Sequence, residues 1–135
     1  MVSNPYRFSY SGYNEICTGY ADPAVIANSK KWNRNENVLQ FLNKQAAYKN
    51  KVTAFANWNL FDYIFNKPKS NFYLNSDYHN IENDSLTDIE ILTNGIQEQS
   101  FNNATPTRND MLTFVTAKEY IQTKHPKVVY QFWRN

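Results

Sequence analysis

Cysteine, histidine and glycine are scarce in this sequence: one, two and three residues among 135. The single cysteine, Cys17, excludes an internal disulfide and any zinc site built on several thiolates. No stretch approaches the roughly 18 apolar residues of a membrane-spanning helix, so no membrane partner is expected. Charge of one sign is also scarce, since 14 basic residues against 12 acidic leave a net +2. That is too little for a binder of phosphate backbones. No basic stripe with interleaved aromatics occurs either, and no nucleic-acid partner is expected. No charged leader followed by an apolar stretch opens the chain, so no export signal is read and the cellular address stays unknown. What is present is apolar and aromatic: 41% hydrophobic and 16% aromatic residues argue for a packed globule. The length is one domain's worth, residues 1–135. The 20 asparagines carry no functional signal.

Periodicity gives an alternating pattern of helix and strand. Asn33 with Glu36 reads as a capping pair. Behind it Val38, Leu39, Phe41, Leu42 and Ala46 recur at helical spacing, which predicts a helix over 36–46. Residues 51–56 form a nearly continuous apolar run, the mark of a strand covered on both faces. Asn57 is placed to cap a helix carrying Trp58, Leu60, Phe61, Ile64 and Phe65. Residues 67–84 read as a loop with Pro68 and the aromatics Phe72, Tyr73 and Tyr78. A helix over 85–97 follows, capped by Ser85 and Asp88, with Leu86, Ile89, Leu92 and Ile96 as its buried face. Asn94-Gly95 is a point where it can break early. A loop over 100–107 closes at Pro106. The longest helix spans 108–124, with Met111, Leu112, Phe114, Val115, Tyr120 and Ile121 facing inward, and His125-Pro126 stops it. Residues 127–133 read as a central strand. The rhythm predicts an α/β fold, three layers of helices around a mostly parallel sheet.

The most informative stretch is Asn4 to Tyr20. Pro5 makes the entry extended. Ser11-Gly12 signals a turn or a helix start, and Gly19 suits a helix C-terminus at positive φ. Ser9 and Ser11 then sit at a helix N-terminus, where orphan N–H groups and the dipole favour an anion. A serine there is a nucleophile toward a phosphate or sulfate ester if a metal or base activates it. From the residue types alone, a serine there is more often a simple N-cap.

The segment NPYRFSYSGYNEICTGYADP resembles the nucleophile segment of the alkaline phosphatase superfamily, which includes sulfatases and nucleotide pyrophosphatases. In its pyrophosphatase-like branch a Thr or Ser nucleophile precedes a helix, with a Thr-Gly pair about nine residues later. Anchoring on Thr18-Gly19 places Ser9 on the nucleophile position. Gly12 falls where several relatives carry an Asn that contacts the phosphoryl group, which is a departure. The blocks ENVLQFLNKQ, KVTAFANWNLFDYIFN and DMLTFVTAKEYIQTKHPKVVYQF resemble the middle part of a bacterial subfamily in the same order.

The resemblance implies two divalent metal ions, zinc or manganese, with Ser9 both nucleophile and metal ligand. It also implies a small phosphate or sulfate ester as substrate, a phosphatase, phosphodiesterase or sulfatase activity, and relatives that are often exported. The other ligands, Asp and His residues, would lie upstream of the nucleophile and after the last strand. Asp22, Asp62, Asp77, Asp84, Asp88 and Asp110 are scattered over loops and helix starts and do not replace them. His79 and His125 lack a paired acid motif, and no nucleophile elbow supports a Ser–His–Asp triad on Ser9. The chain therefore reads as a partial alkaline-phosphatase-like domain, the middle piece of a hydrolase, inactive alone and prone to self-association through an exposed sheet edge. The alternative is a small non-enzymatic binding domain. Its surface would be the aromatics Phe72 to Tyr78 with Trp32 and Trp58, although flanks that fit amphipathic helices favour core packing for them.

Overall fold

The computed structural model describes residues 4–101 and 107–133. The apolar run behind Lys51 becomes strand β1 (Val52–Ala56), and every residue of it is buried. Two strands flank β1, both parallel to it: β2 (Tyr73–Ser76) on one side and β3 (Val128–Phe132) on the other. Ala54 lies opposite Leu74 in one neighbour and Tyr130 in the other. Alternation along β1 divides the core. Val52, Ala54 and Ala56 join Leu39, Phe61, Phe65 and Phe132 in one apolar cluster. Phe55 points the other way, against Tyr73 and Tyr120.

Helices α1 (Ser9–Thr18), α2 (Val38–Lys44) and α3 (Leu60–Ile64) cover the first face. Helix α5 (Asp110–Lys124) covers the second, and α4 (Asp88–Ser100) packs on α5. The chain is an α/β fold of three layers around a small parallel sheet, as the sequence predicts.

Several local expectations fail for identifiable reasons. Ser11 and Gly12 do not form a turn; they lie inside α1, which begins at Ser9 after the extended Phe8. Gly19 does end that helix, at φ 70°. Helix α2 is capped by Asn37 and Gln40 in a reciprocal box, not by Asn33 and Glu36. Asn33 is instead buried, its amide donating to Asn14 Oδ1 and to the Ile64 carbonyl. Asn59, not Asn57, is the N-cap of α3, and the Asn57 amide donates to Asp110 Oδ1 at 2.7 Å. Residues 67–84 are not all loop. The tetrapeptide Tyr73–Ser76 is too short and polar to announce itself, and pairing with β1 makes it a strand. β3 is an edge strand among the described residues; the central one is β1. The expected loop closed by Pro106 lies largely outside the described residues.

The largest departure concerns α4 and α5. Helix α4 takes its cap from Thr87 and Glu90 rather than Ser85 and Asp88, and it runs through Gly95. Its buried side is Glu90, Thr93 and Gln97, whereas Ile89, Leu92 and Ile96 face outward. In α5 the buried residues are Thr113, Thr116, Ala117 and Glu119, while Met111, Phe114 and Ile121 are exposed. The polar faces are buried because they find partners there. Glu90 accepts from Asn83 and from the Thr87 N–H, and Thr113 accepts from Arg108. The apolar stripes are left uncovered, an arrangement usual at contact surfaces.

Candidate functional sites

Ser9 is the first residue of α1 and is exposed. The preceding residue, Phe8, offers no side-chain cap, and the first turn carries no acidic residue. Asn28 Oδ1 accepts the Tyr10 N–H at 2.9 Å. Ser11, by contrast, is buried and its hydroxyl donates to the Val25 carbonyl, so it is a structural residue.

The direction of α1 is set by its buried side. The Tyr13 ring meets Phe132, the last residue of β3, at 5.5 Å and Phe61 of α3 at 4.8 Å. One turn later Cys17 is buried in the same apolar cluster, against which Tyr130 of β3 also packs. Helix α1 therefore packs at its middle against the carboxyl end of β3. Parallel α/β sheets bind ligands at that end. Burial pushes the Cys17 thiol up to about 12, so it is a packed, unreactive group.

A web of side chains holds α1 and the following coil in place. The Tyr10 hydroxyl donates to the carbonyls of Lys31 and Tyr63. Asn14 Oδ1 accepts from both Asn33 and Asn35, and Asn35 continues to Asp22. Asn14, Asn33 and Asn35 thus tie coil 20–37 to the helix.

The metal ions implied by the resemblance do not fit the surroundings of Ser9. Among the described residues no group of three or more His, Cys, Asp or Glu side chains is placed to hold a metal ion. His79 lies beyond β2, on the opposite side of β1 from the α1–β3 contact. His125 caps α5 at φ 48°. Asp88 and Asp110 are first-turn carboxylates of α4 and α5.

A second constellation escapes sequence reasoning. Asp62 of α3 accepts the hydroxyl of Ser76, the last residue of β2. The same carboxylate lies 3.6 Å from Lys67 Nζ and 3.5 Å from His79 Nε2, and Lys67 also contacts His79 Nδ1. This cluster borders a cleft of about 1040 Å³ along β2. Phe72, Tyr73 and Tyr78 line it, and Gln97, Glu98 and Phe101 of the α4 end form another part of its wall. Ser76 is fully buried, which removes it as a nucleophile. Behind the cleft sits Arg108, 1% exposed, donating to Asn75, Gln97, Thr113 and the Ala56 carbonyl. Asp62, Ser76, Arg108 and Gln97 are far apart in sequence, and no motif links them. The expected aromatic surface is only partly assembled. Trp58 is core, and Trp32 stacks on Tyr63 at 4.3 Å, away from the cleft.

No family model, curated protein or solved structure matches this chain.

Proposed function

We propose that this chain supplies the nucleophile segment and part of the α/β scaffold of a metal-dependent phosphoric or sulfuric ester hydrolase, with Ser9 at the nucleophile position. The observation that carries the reading is the exposed Ser9 on the first turn of α1, a helix that packs through Tyr13 on Phe132 at the carboxyl end of β3. An ester's anionic group placed there meets the positive end of the helix dipole, although Asn28 Oδ1 already takes the Tyr10 N–H of the first turn. A serine hydroxyl without a metal or a base is a poor nucleophile at neutral pH. The reading requires the other metal-holding side chains to come from polypeptide outside this chain, and on it the chain alone is inactive.

The test combines this chain with the polypeptides encoded immediately beside it and assays chromogenic phosphomonoester, phosphodiester and sulfate ester substrates with zinc or manganese. Turnover by the combination, none by the chain alone, and loss in Ser9→Ala are the expected results. Turnover by the combination that survives Ser9→Ala removes Ser9 from the nucleophile position. Turnover by the chain alone refutes its incompleteness.

A second reading, a small binding domain with an aromatic surface, has one observation in its favour: Phe72, Tyr73 and Tyr78 line the cleft along β2.

A further inference from the structure

The cleft along β2 holds about 1040 Å³, at the upper end of the range, roughly 300–1,000 Å³, usual for a site that takes one small molecule. Rings form part of its wall. Phe101 is exposed and sets its ring edge-on to Tyr78 at 5.3 Å. Such rings bed an apolar body, and their faces attract a cation.

The polar groups of the wall select a ligand by what they still lack. Several donors are already committed. Lys67 Nζ is held by Asp62 and His79. The Asn75 amide donates to the His79 carbonyl, the Tyr78 hydroxyl to the Thr107 carbonyl, and the Asn80 amide to Glu98 Oε1. Acceptors are in surplus. Asp77, Glu82 and Glu98 line the cleft, and among the described residues none of the three has an ion-pair partner. Asn80 Oδ1 is buried and has no hydrogen-bond partner among them. Burial holds the Asp77 carboxyl above the usual range, and the charges of His79 and Arg108 offset this only in part. The last turn of α4 carries no basic residue, so the negative end of its dipole adds to the carboxylates. What complements this wall is a positively charged hydrogen-bond donor.

We propose that this cleft binds a small organic cation, an ammonium or guanidinium head carried on an apolar body. The head meets the carboxylates and the body lies on the rings of Tyr78 and Phe101. The proposal deepens the binding-domain reading of the cleft and rests on it; it is independent of Ser9.

The experiment titrates the full chain with two cations, phenethylamine and agmatine, and with two controls, phenethyl alcohol and phenylpropanoate. Binding is read from the backbone amide shifts in NMR spectra. Both cations are expected to bind, to shift amides of residues 72–80 and 97–101, and to bind more weakly as salt rises. The alcohol and the carboxylate are expected to bind about tenfold more weakly or not at all. Asp77→Asn and Glu98→Gln are each expected to weaken the cations about tenfold and to leave the alcohol unchanged. Glu98 is exposed, so Glu98→Gln keeps the charge test readable if Asp77→Asn does not fold. Either control binding in the cleft as tightly as the cations, or cation binding unchanged in both variants, overturns the proposal while leaving the cleft a binding surface. Cation shifts confined to residues outside the cleft overturn it as well. Failure of all four compounds removes the proposal and the binding-domain reading together.

Discussion

The Thr87 hydroxyl donates to Glu119 Oε1 at 2.8 Å while accepting the Glu90 N–H at 3.2 Å, so one side chain both caps α4 and fastens it to α5. An ordinary cap serves one helix. Thr87→Ala removes the cap and leaves a buried carboxylate oxygen short of a donor. The expected loss is about 2 kcal/mol in urea unfolding. Thr87→Ser keeps both bonds and is expected to stay within about 0.5 kcal/mol of the parent. Equal losses in the two variants would show that the methyl group, not the hydroxyl, matters.

Arg108 makes a stronger demand. Its buried charge is held by neutral acceptors, Asn75 Oδ1 and Gln97 Oε1 at 2.7 Å each among them. Arg108→Met strands those oxygens in the interior, and the expected cost is about 2–4 kcal/mol. Adding Gln97→Leu removes one stranded group, so the double variant is expected to recover part of the loss. Strict additivity in the denaturant midpoints would show that the two side chains act independently.

Two aspartates predict opposite pH dependences. The Asn35 amide, then the Ala24 N–H, with help from Arg34, hold the buried Asp22 carboxyl below the usual carboxylate range. The unfolded chain therefore binds the proton more readily. The stabilisation is complete above the unfolded pKa and is lost as pH falls through the folded one. Asp22→Asn is expected to flatten the acid limb of the stability curve.

Asp77 behaves the other way. Burial raises its carboxyl above the usual range, although His79 opposes the shift. Here the folded state holds the proton more tightly, so stability falls as pH rises from the unfolded pKa through the folded one. Its φ of 55° also suits asparagine. Asp77→Asn is expected to stabilise the protein at pH 7 and to change little at pH 3. A destabilised variant at pH 7 would show that the charged form of Asp77 is favoured in the folded protein.

Self-association is expected through the open edge of β3, whose five residues Val128 to Phe132 carry no charge and no proline. Val129→Lys is expected to lower the apparent mass in light scattering. Leu92 is 64% exposed on the apolar side of α4. Leu92→Lys is the comparison: if it disperses the protein and Val129→Lys does not, the helical stripe carries the association instead of the sheet edge.

Parts of this architecture were legible along the chain because they depend on neighbours a few residues apart. The apolar run 52–56 can only be a strand buried on both faces, and it is. Gly19 ends α1 at positive φ, and Asp110 and Lys124 sit at the dipole ends that favour them. The α/β class follows from such pieces in alternation.

Other features depend on distant partners and left no local trace. Tyr73–Ser76 becomes a strand only beside β1. Which side of α4 and α5 turns inward was decided by Glu90, Thr93, Gln97 and Thr113 finding hydrogen-bond partners there, against the apolar periodicity. Ser9 could be placed at a helix start from its own segment, but that its helix packs at the carboxyl end of β3 comes from Tyr13 meeting Phe132, 119 residues away. The sequence by itself determined the elements and the chemical groups at their ends. Only the tertiary structure decided which of those groups meet, because hydrogen bonds and ring contacts act over ångströms in space, whatever the separation along the chain.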